Sequence, residues 1–581
     1  MAATTITPES RATALAAMSQ TSTGSEPELD ILVIGGGVTG AGIALDAATR
    51  GLRVGIVEAQ DWSSGTSSRS SKLVHGGLRY LQMLDFKLVH EALTERDLLL
   101  SQTAPHLVKA VPFLYPLEHR VWERGYVGAG IGLYDALASL SARRRATAFH
   151  RHFSHKQLMA AFPDLRPDAA VGAIQYWDAQ VDDARLVITL VRTAAAYGAL
   201  AANRTQVVEL TKDGERVTGA VVVDLENETE HTIKARSVIN ATGVWTEDTE
   251  ALAGTDGGLR VLASKGIHLV VPRERLRGHK GLILQTEKSV LFVIPWSRYW
   301  IIGTTDTPYE RDLVDPVASG EDIDYVLAKA NAVLSDPLTR DDIVGSYAGL
   351  RPLLQPGTKE GTSSAKVSRE HTTASPTPGL VVIAGGKLTT YRVMAADAVD
   401  FTLGDQAQNQ PCVTDRVPLA GAVGFPAARR KARGWAQTYG WDKARMDHLL
   451  HRYGGQVADL VAMVAEQPDL ARPLQHAPDY LRAEIAFAAA HEQVLHLEDV
   501  LIRRTRLDYE IADGGLAAID EIAEILAAWL GWDAARVDAE KHSCRQRRTA
   551  IAAASQTCTD ADAEHARAQA PAIIPMQSLG G

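Results

Sequence analysis

Apolar and polar residues near the start of the chain follow a pattern that predicts a β-turn-α-β unit. Residues 31–34 form an apolar run, which predicts a buried strand, and residues 41–50 repeat apolar positions at helical spacing. A second run at 53–58 predicts the next strand. This order within about 30 residues is typical of the first unit of a dinucleotide-binding domain, so the sequence predicts the α/β fold class.

Later patterns predict a second kind of sheet and a helical end. Residues 184–197 have helical spacing and lead to a strand near Val207, and 238–243 read as another buried strand. Between 267 and 302, short apolar runs alternate with turns, which predicts an antiparallel sheet that covers a site. From about residue 407 to about 548 most of the chain has the pattern of amphipathic helix.

Composition narrows the possible functions. Sixty basic and seventy acidic residues among 581 give a net charge of −10, which argues against a nucleic-acid partner. The three cysteines have neither the spacing of a zinc site nor that of a disulfide framework, and no EF-hand loop is visible, so no metal is expected. No apolar stretch approaches the roughly 20 residues that cross a bilayer, so any membrane association is expected to be peripheral.

The first turn carries the pattern Gly35-x-Gly37-x-x-Gly40. The first glycine permits a sharp turn, the second allows a pyrophosphate to approach the backbone, and the third lets helix and strand pack closely. Glu58 ends the second strand, where a carboxylate accepts hydrogen bonds from a ribose and repels a 2′-phosphate. NADP is therefore disfavoured, and the motif by itself leaves NAD and FAD open.

Three further segments have the composition of cofactor contacts. Residues 67–80 combine hydroxyls, cations and two glycines, which suit a pyrophosphate and a flat ring. The strands ending at Gly243 and Gly386 add backbone contacts, and the helix after the second one directs its positive dipole end at the site. Together they give these candidate cofactor-binding residues: Ser67, Ser70, Ser71, Lys72, His75, Gly76, Gly77, Val207, Ala241, Thr242, Gly243, Gly386, Lys387, Leu388 and Thr389.

Four stretches in the same order resemble the FAD-dependent, quinone-linked glycerol-3-phosphate dehydrogenases. The resemblance runs from about Asp30 to Tyr509 and is carried by SSKLVHGGLRYL (70–81), VIPWSRYWIIGTTD (293–306), YAGLRPL (347–353) and GGKLTTYR (385–392). It implies non-covalent FAD, hydride transfer from C2 of sn-glycerol 3-phosphate to flavin N5, dihydroxyacetone phosphate as the product, and membrane quinone as the electron acceptor.

The resemblance also implies a fold and domain boundaries. We expect a Rossmann-like FAD-binding domain of the glycine oxidase and D-amino-acid oxidase type, an antiparallel-sheet substrate domain and a helical C-terminal domain. The expected ranges are flexible tails at 1–27 and 549–581, FAD-binding segments at about 28–104, 182–246 and 376–405, substrate-domain segments at about 105–181 and 247–375, and the helical domain at 406–548.

Family positions in the active site fall on Arg79, Tyr80, Arg351 and Lys387. We assign Arg79 and Tyr80 to phosphate binding, because a guanidinium suits bidentate recognition of a dianion. Arg351 and Lys387 are placed near the reacting hydroxyl, where positive charge stabilises a developing alkoxide.

Other candidate residues keep two interpretations. His268 is a candidate general base or a packed structural histidine. Thr305 and Asp306 either hold substrate or orient a catalytic side chain, or they form a plain turn at the end of a strand. His75 lies over the flavin or bonds only to the loop backbone.

Two segments could contact a membrane, as reduction of an apolar quinone requires. One is Gly125 to Leu140 followed by Arg143–Arg145, and the other is Arg429–Arg433 followed by Trp435. For each segment taken singly, a basic surface turn is the favoured interpretation. The expected location is the inner face of the cytoplasmic membrane, and a homodimer is possible. The alternatives are a glycerol-3-phosphate oxidase that uses O2 and a non-catalytic membrane-bound flavoprotein.

Overall fold

The computed structural model describes residues 4–20, 28–77, 85–119, 121–141, 146–255, 259–286, 290–355 and 371–577. Its strands are β1 (Leu29–Ile34), β2 (Val54–Val57), β3 (Leu73–Val74), β4 (Lys109–Leu117), β5 (Arg151–Ser154), β6 (Gly172–Gln180), β7 (Leu200–Ala202), β8 (Thr205–Asp213), β9 (Arg216–Asp224), β10 (Thr229–Asn240), β11 (Arg260–Pro272), β12 (Gly281–Gln285), β13 (Val290–Trp296), β14 (Tyr299–Gly303), β15 (Thr307–Pro308), β16 (Gly345–Gln355), β17 (His371–Thr377) and β18 (Leu380–Gly385).

The α-helices follow the same chain order. They are α1 (Pro8–Gln20), α2 (Val38–Thr49), α3 (Phe86–Leu98), α4 (Trp122–Ser141), α5 (His155–Ala161), α6 (Asp183–Ala196), α7 (Thr246–Ala251), α8 (Gly320–Asn331), α9 (Tyr391–Leu403), α10 (Phe425–Tyr439), α11 (Lys443–Tyr453), α12 (Val457–Glu466), α13 (Arg482–His491), α14 (Leu497–Asp499), α15 (Leu507–Glu510), α16 (Ile519–Leu530), α17 (Ala534–Ala554) and α18 (Asp560–Ala568).

The first sheet has the strand order β17-β18-β10-β1-β2-β7, in which β18, β10, β1, β2 and β7 are mutually parallel and β17 pairs antiparallel with β18. Because parallel strands are covered on both faces, their apolar runs are continuous rather than alternating. Helices α2, α6 and α9 pack on one face through Ala44, Leu186 and Ala395, which are fully or almost fully buried. The carboxyl ends of β1, β2 and β10 therefore open at one edge, as expected for a ligand site.

The second sheet has the order β15-β11-β14-β13-β12-β4-β6-β3, with β16 paired to β11 and β5 to β6. Its described pairs are antiparallel except the pair of β12 with β4. The predicted antiparallel sheet between residues 267 and 302 is confirmed. Helices α10 to α16 form a separate apolar core that includes Phe487 and Ile522, as the helical pattern predicted.

Both predicted tails contain ordered structure, so these two expectations are wrong in part. Helix α1 packs Leu15 and Met18 against β1, and Arg11 donates hydrogen bonds to Asp224 and to the carbonyl of Asn203. At the other end α17 continues to Ala554 and α18 follows it. The alanine-rich compositions concealed the few apolar and charged residues that make these contacts.

Candidate active site

The glycines of the first turn are required by their surroundings. A Cβ on Gly40 would lie 1.9 Å from the carbonyl oxygen of Gly35, so only glycine permits this contact between α2 and the turn. Gly35 itself has a φ of +108°, and a Cβ there would lie 2.7 Å from the Ala241 carbonyl oxygen. The N-terminus of α2 therefore approaches the ends of β1 and β10 closely.

Glu58 and Ser67 are held by backbone amides at this turn. The carboxylate of Glu58 accepts hydrogen bonds from the amides of Gly36 at 2.6 Å and Gln60 at 2.8 Å. Burial raises the pKa of Glu58, while these two amides oppose that shift. The hydroxyl of Ser67 accepts a hydrogen bond from the Val38 amide at 2.9 Å, which ties residues 66–68 to the start of α2.

A cavity of about 390 Å³ joins these elements to the second sheet. It extends from the Gly35 turn to the residues that precede α9, and most of the candidate cofactor-binding residues line it. These are Gly35, Gly37, Glu58, Ser67, Ser70, Ser71, His75, Val207, Ala241, Thr242, Gly243, Gly386, Lys387, Leu388 and Thr389.

The cavity fits FAD because a helix N-terminus lies toward each end of it. The N-cap of α2 is Gly37 and that of α9 is Thr390, and neither N-cap residue caps its helix with its own side chain. Backbone amides and the positive dipole at these two N-termini suit a pyrophosphate at the first helix and the electron-rich pyrimidine edge of a flavin at the second. Gly385 and Gly386, with φ of +81° and +83°, turn the chain between β18 and α9.

Lys72, Gly76 and Gly77 do not line the cavity, in contrast to their predicted role. The Lys72 ammonium is fully buried, where it donates to Asp183 at 2.7 Å and to the Ser68 carbonyl at 3.0 Å. The Gly76 amide donates to Tyr134 at 2.9 Å, and a Cβ there would collide with that tyrosine. The composition of this loop suggested ligand binding, but Lys72 and Gly76 bond to protein groups.

His75 and Thr389 connect the loop to the start of α9. The His75 amide donates to the Thr389 hydroxyl at 3.0 Å, and that hydroxyl donates to the His75 carbonyl at 3.2 Å. These bonds are made by the backbone of His75, which also lines the cavity, and the position of its ring over the flavin stays a prediction.

His268 lies in β11 and faces the same cavity. Its Nε2 is 2.8 Å from Ser71 Oγ, and its ring stacks on Tyr347 with centroids 4.9 Å apart. Burial, together with the charges of Arg351 and Lys72, holds the pKa of His268 well below its ordinary value. The imidazole is therefore neutral near pH 7, the form that accepts a proton.

Arg351 lies in β16 and is held in place by the turn after β14. Its two terminal nitrogens donate to the Thr304 hydroxyl at 2.9 Å and the Thr305 carbonyl at 3.1 Å. Asp306 is 3.4 Å away from the same guanidinium. Thr305 and Asp306 do not line the cavity, so their place in the structure is that of residues that orient Arg351.

A glycine makes room for this guanidinium. A Cβ on Gly266 would lie 2.4 Å from Arg351 Nη2. Gly266 and Arg351 both line the cavity, as Lys387 does, so two cations and a neutral histidine line the same cavity. Arg79 and Tyr80, the candidate phosphate ligands, lie outside the described residues.

The lining residues Gln206 and Met576 were not identified from the sequence, and neither was Thr304, whose hydroxyl accepts a hydrogen bond from Arg351. Ser71 was assigned to the cofactor, and in the structure it also contacts His268. None of these residues stands in a distinctive local sequence pattern. Tertiary contacts alone bring them to the site.

Two further features of the described residues bear on membrane and metal binding. In the ranges that the structure describes, no helix has the length and apolar character needed to cross a bilayer. The same ranges contain no cluster of three or more His, Cys, Asp or Glu residues that could hold a metal ion.

Comparison with known proteins agrees with this geometry. A family profile described as FAD dependent oxidoreductase matches residues 30–392, and one described as the C-terminal domain of alpha-glycerophosphate oxidase matches 412–537. Glycerol-3-phosphate dehydrogenase 2 of Mycobacterium tuberculosis is 49% identical over 94% of this chain and 92% of its own. A mitochondrial glycerol-3-phosphate dehydrogenase of Arabidopsis thaliana is 36% identical over 90% of this chain and 86% of its own.

A solved structure supports the same relationship. The glycerol-3-phosphate dehydrogenase of Bacillus halodurans, complexed with FAD, superimposes with a TM-score of 0.73 at 31% identity and covers 94% of this chain and 98% of its own. The two matched profiles, the extent of the identities and a cavity that fits FAD lead to one conclusion. The chain belongs to the family of FAD-dependent glycerol-3-phosphate dehydrogenases.

Proposed function

We propose that the protein oxidises sn-glycerol 3-phosphate at C2 to dihydroxyacetone phosphate and passes the electrons to a membrane quinone. The observation that carries the proposal is that neutral His268 and the cations Arg351 and Lys387 line the cavity that fits FAD. FAD, when bound, supplies the two-electron acceptor for the C2 hydride. The protein residues then have to bind a small dianion and remove one proton.

His268 is the proposed base. Nε2 accepts the substrate proton through the Ser71 hydroxyl, which lies 2.8 Å away. The positive charge of Arg351 helps keep the pKa of His268 low before substrate binds. The negative charge of the bound substrate offsets part of this effect, so substrate binding raises the proton affinity of the imidazole at the moment it is needed.

Arg79 and Tyr80 are proposed to bind the phosphate, by resemblance to the family. Arg351 and Lys387 are proposed to lie near the C2 oxygen and to stabilise negative charge that develops there. Thr304 and the Thr305 carbonyl fix the orientation of Arg351, so its fork is ready before substrate enters. Preorganised donors of this kind are the usual source of electrostatic stabilisation in enzymes.

We propose α4 as the surface that contacts the inner face of the cytoplasmic membrane. Trp122 is 64% and Tyr126 62% exposed, and the other exposed residues of the helix with described side chains are uncharged. These are Gly125, Ala129, Leu133, Ala136 and Ser139. An exposed aromatic and apolar helix face suits the boundary between headgroups and acyl chains. By contrast, Arg429, Arg430, Lys431 and Arg433 of α10 are a solvated basic face, and Trp435 packs against the helical core.

A second candidate function differs only in the electron acceptor. The profile that matches residues 412–537 is described by an oxidase, so direct reaction of the reduced flavin with O2 is the alternative. Stopped-flow reoxidation of the substrate-reduced enzyme by a soluble quinone and by O2 separates the two. The dehydrogenase assignment requires quinone to be the faster acceptor.

The central experiment is anaerobic mixing of the purified yellow protein with sn-glycerol 3-phosphate. Loss of flavin absorbance and stoichiometric dihydroxyacetone phosphate are expected, whereas glycerol should react very poorly. Arg79→Ala should lose most of this preference for the phosphorylated compound. An unreduced flavin in wild-type protein would contradict the proposal and favour a non-catalytic flavoprotein.

A further inference from the structure

The last described residues of the chain return to the cofactor cavity. After α18 the chain continues through residues 569–577, and Met576 lines the same cavity as Gly35 and Glu58. The matched C-terminal family region ends at residue 537, so this segment lies beyond it. Neither the glycine motif nor the family stretches account for its position.

Ion pairs anchor the segment on the side of α18. Arg567 donates through Nε to Asp315 at 2.7 Å, and Arg547 of α17 donates through Nη2 to the same carboxylate at 2.8 Å. Lys265 of β11 is fully buried and pairs with Asp560 at the start of α18. These contacts hold α18 in place, and residues 569–577 continue from its end.

A single glutamine side chain fixes the other end. Gln206 of β8 donates from Nε2 to the Gln577 carbonyl at 2.8 Å, and its Oε1 accepts from the Gln577 amide at 2.8 Å. Met576 Sδ lies 3.8 Å from Gln60 Nε2. The Gln206 side chain thus bonds both backbone groups of Gln577, as a neighbouring strand would. Met576, the preceding residue, lines the cavity.

The contact lies at the adenosine end of the cavity. Gln60, Thr205 and Gln206 line the wall beside Glu58, which ends the second strand where a ribose is expected. A thioether is polarisable and makes favourable contacts with aromatic rings, and an adenine base is such a ring.

We infer that the C-terminal segment is a further part of the FAD site, in which Met576 packs against the adenosine moiety and Gln206 holds the segment in place. Met576 would then lie against the adenosine end of bound FAD. The inference rests on the FAD-binding property of the family and not on the identity of the substrate.

Titration of apoprotein tests the inference with two ligands that differ only in the adenosine half. Met576→Ala and a chain that stops at Ala570 should bind FAD about three- to tenfold more weakly than wild type and release it faster, because a sulfur–aromatic contact is lost. Their affinity for FMN should not change. The matched control is Gln577→Ala, which removes an exposed side chain and keeps both backbone bonds to Gln206.

Digestion with carboxypeptidase gives a second readout that does not depend on turnover. FAD should slow the release of Gln577 and Met576 from wild-type protein, and FMN should protect them much less. Equal FAD affinity in all variants, or an equal loss for FAD and FMN, would overturn the inference. A wild-type protein that binds FAD as expected but is not reduced by sn-glycerol 3-phosphate would overturn the proposed function and leave this inference standing.

Discussion

At the level of single residues, the environment of His268, the proposed base, keeps its imidazole neutral. Burial is the largest cause of its lowered pKa, and the charges of Arg351 and Lys72 act in the same direction. Ser71 and the Tyr347 ring fix its orientation. A buried, oriented and uncharged imidazole that lines the cavity is the form that the proposed base requires.

His268→Gln should slow flavin reduction by about 10²- to 10⁴-fold, the usual contribution of a general base. Because the folded-state pKa lies well below 6.5, the wild-type rate should not fall through protonation of free His268 between pH 8 and 6.5. For the same reason His268 lowers the free energy of unfolding only as pH falls below about 6.5, because there the unfolded chain binds a proton that the folded protein does not. Stopped-flow reduction across this pH range checks the rate, and an undiminished rate in the variant would exclude His268 as the base.

Arg351→Lys should weaken substrate binding although the charge is kept. The guanidinium bonds Thr304 and Thr305 with two nitrogens at once, and an ammonium cannot reproduce that geometry. Loss of a charged hydrogen bond typically costs about 1.5 to 3 kcal/mol. Spectral titration with sn-glycerol 3-phosphate measures the effect, and Arg236→Lys, which is exposed, is the control. Similar affinities in both variants would show that the fork of Arg351 does not contact substrate.

At the scale of elements, the contact between α2 and the Gly35 turn depends on one glycine. Gly40→Ala places a methyl group 1.9 Å from the Gly35 carbonyl oxygen, so the helix has to move. Overpacking of this kind typically costs about 1 to 3 kcal/mol, and here it also displaces the amides at the pyrophosphate position. Purified protein should show lost FAD and a lowered melting temperature. Gly434→Ala in α10, where no atom lies within 4 Å, should instead be neutral or stabilising.

The α4 surface makes a separate prediction. Trp122→Glu combined with Leu133→Glu should abolish binding to anionic lipid vesicles, because two charges then interrupt an exposed apolar face. Flavin reduction by substrate should stay at the wild-type rate. Arg429→Glu in α10 is the matched charge control, measured in the same sedimentation assay. Loss of vesicle binding only in the control would move the membrane surface from α4 to α10.

The strands and helices around the glycine turn could be predicted from sequence because local spacing and a continuous apolar run determine them. The roles within residues 67–77 could not, since Lys72 and Ser71 are chemically plausible cofactor ligands until the partners Asp183 and His268 are known. Those partners are more than 100 residues away in the chain. Arg11 of α1 and its partner Asp224 are likewise far apart in the chain, by 213 residues, which explains why the first helix was expected to be a tail.

Across the whole molecule, buried ion pairs join the helical C-terminal part to the FAD-binding sheet. Asp61 follows β2 and accepts hydrogen bonds from Arg503 and from Arg504 at 2.6 Å, with the carboxylate fully buried. His496 bonds Glu226 of the β9–β10 turn and Glu540 of α17, each at 2.8 Å. Removing one partner of such a buried pair is strongly destabilising because the other charge remains in a dry interior.

The His496 contact predicts how stability changes with pH. Burial alone would lower its pKa, but Glu226 and Glu540 raise the pKa of His496 to about 9. The unfolded value is near 6.5, so the contribution to stability is fully present below pH 6.5 and is lost as pH rises through 9. Thermal melts of wild type should therefore decline between pH 7 and 9.5, and His496→Gln should melt lower at pH 6.5 and converge with wild type at high pH. The control His231→Gln, on the surface of β10, should follow the wild-type curve. Parallel pH profiles for wild type and His496→Gln would mean that this histidine is not charged in the folded protein.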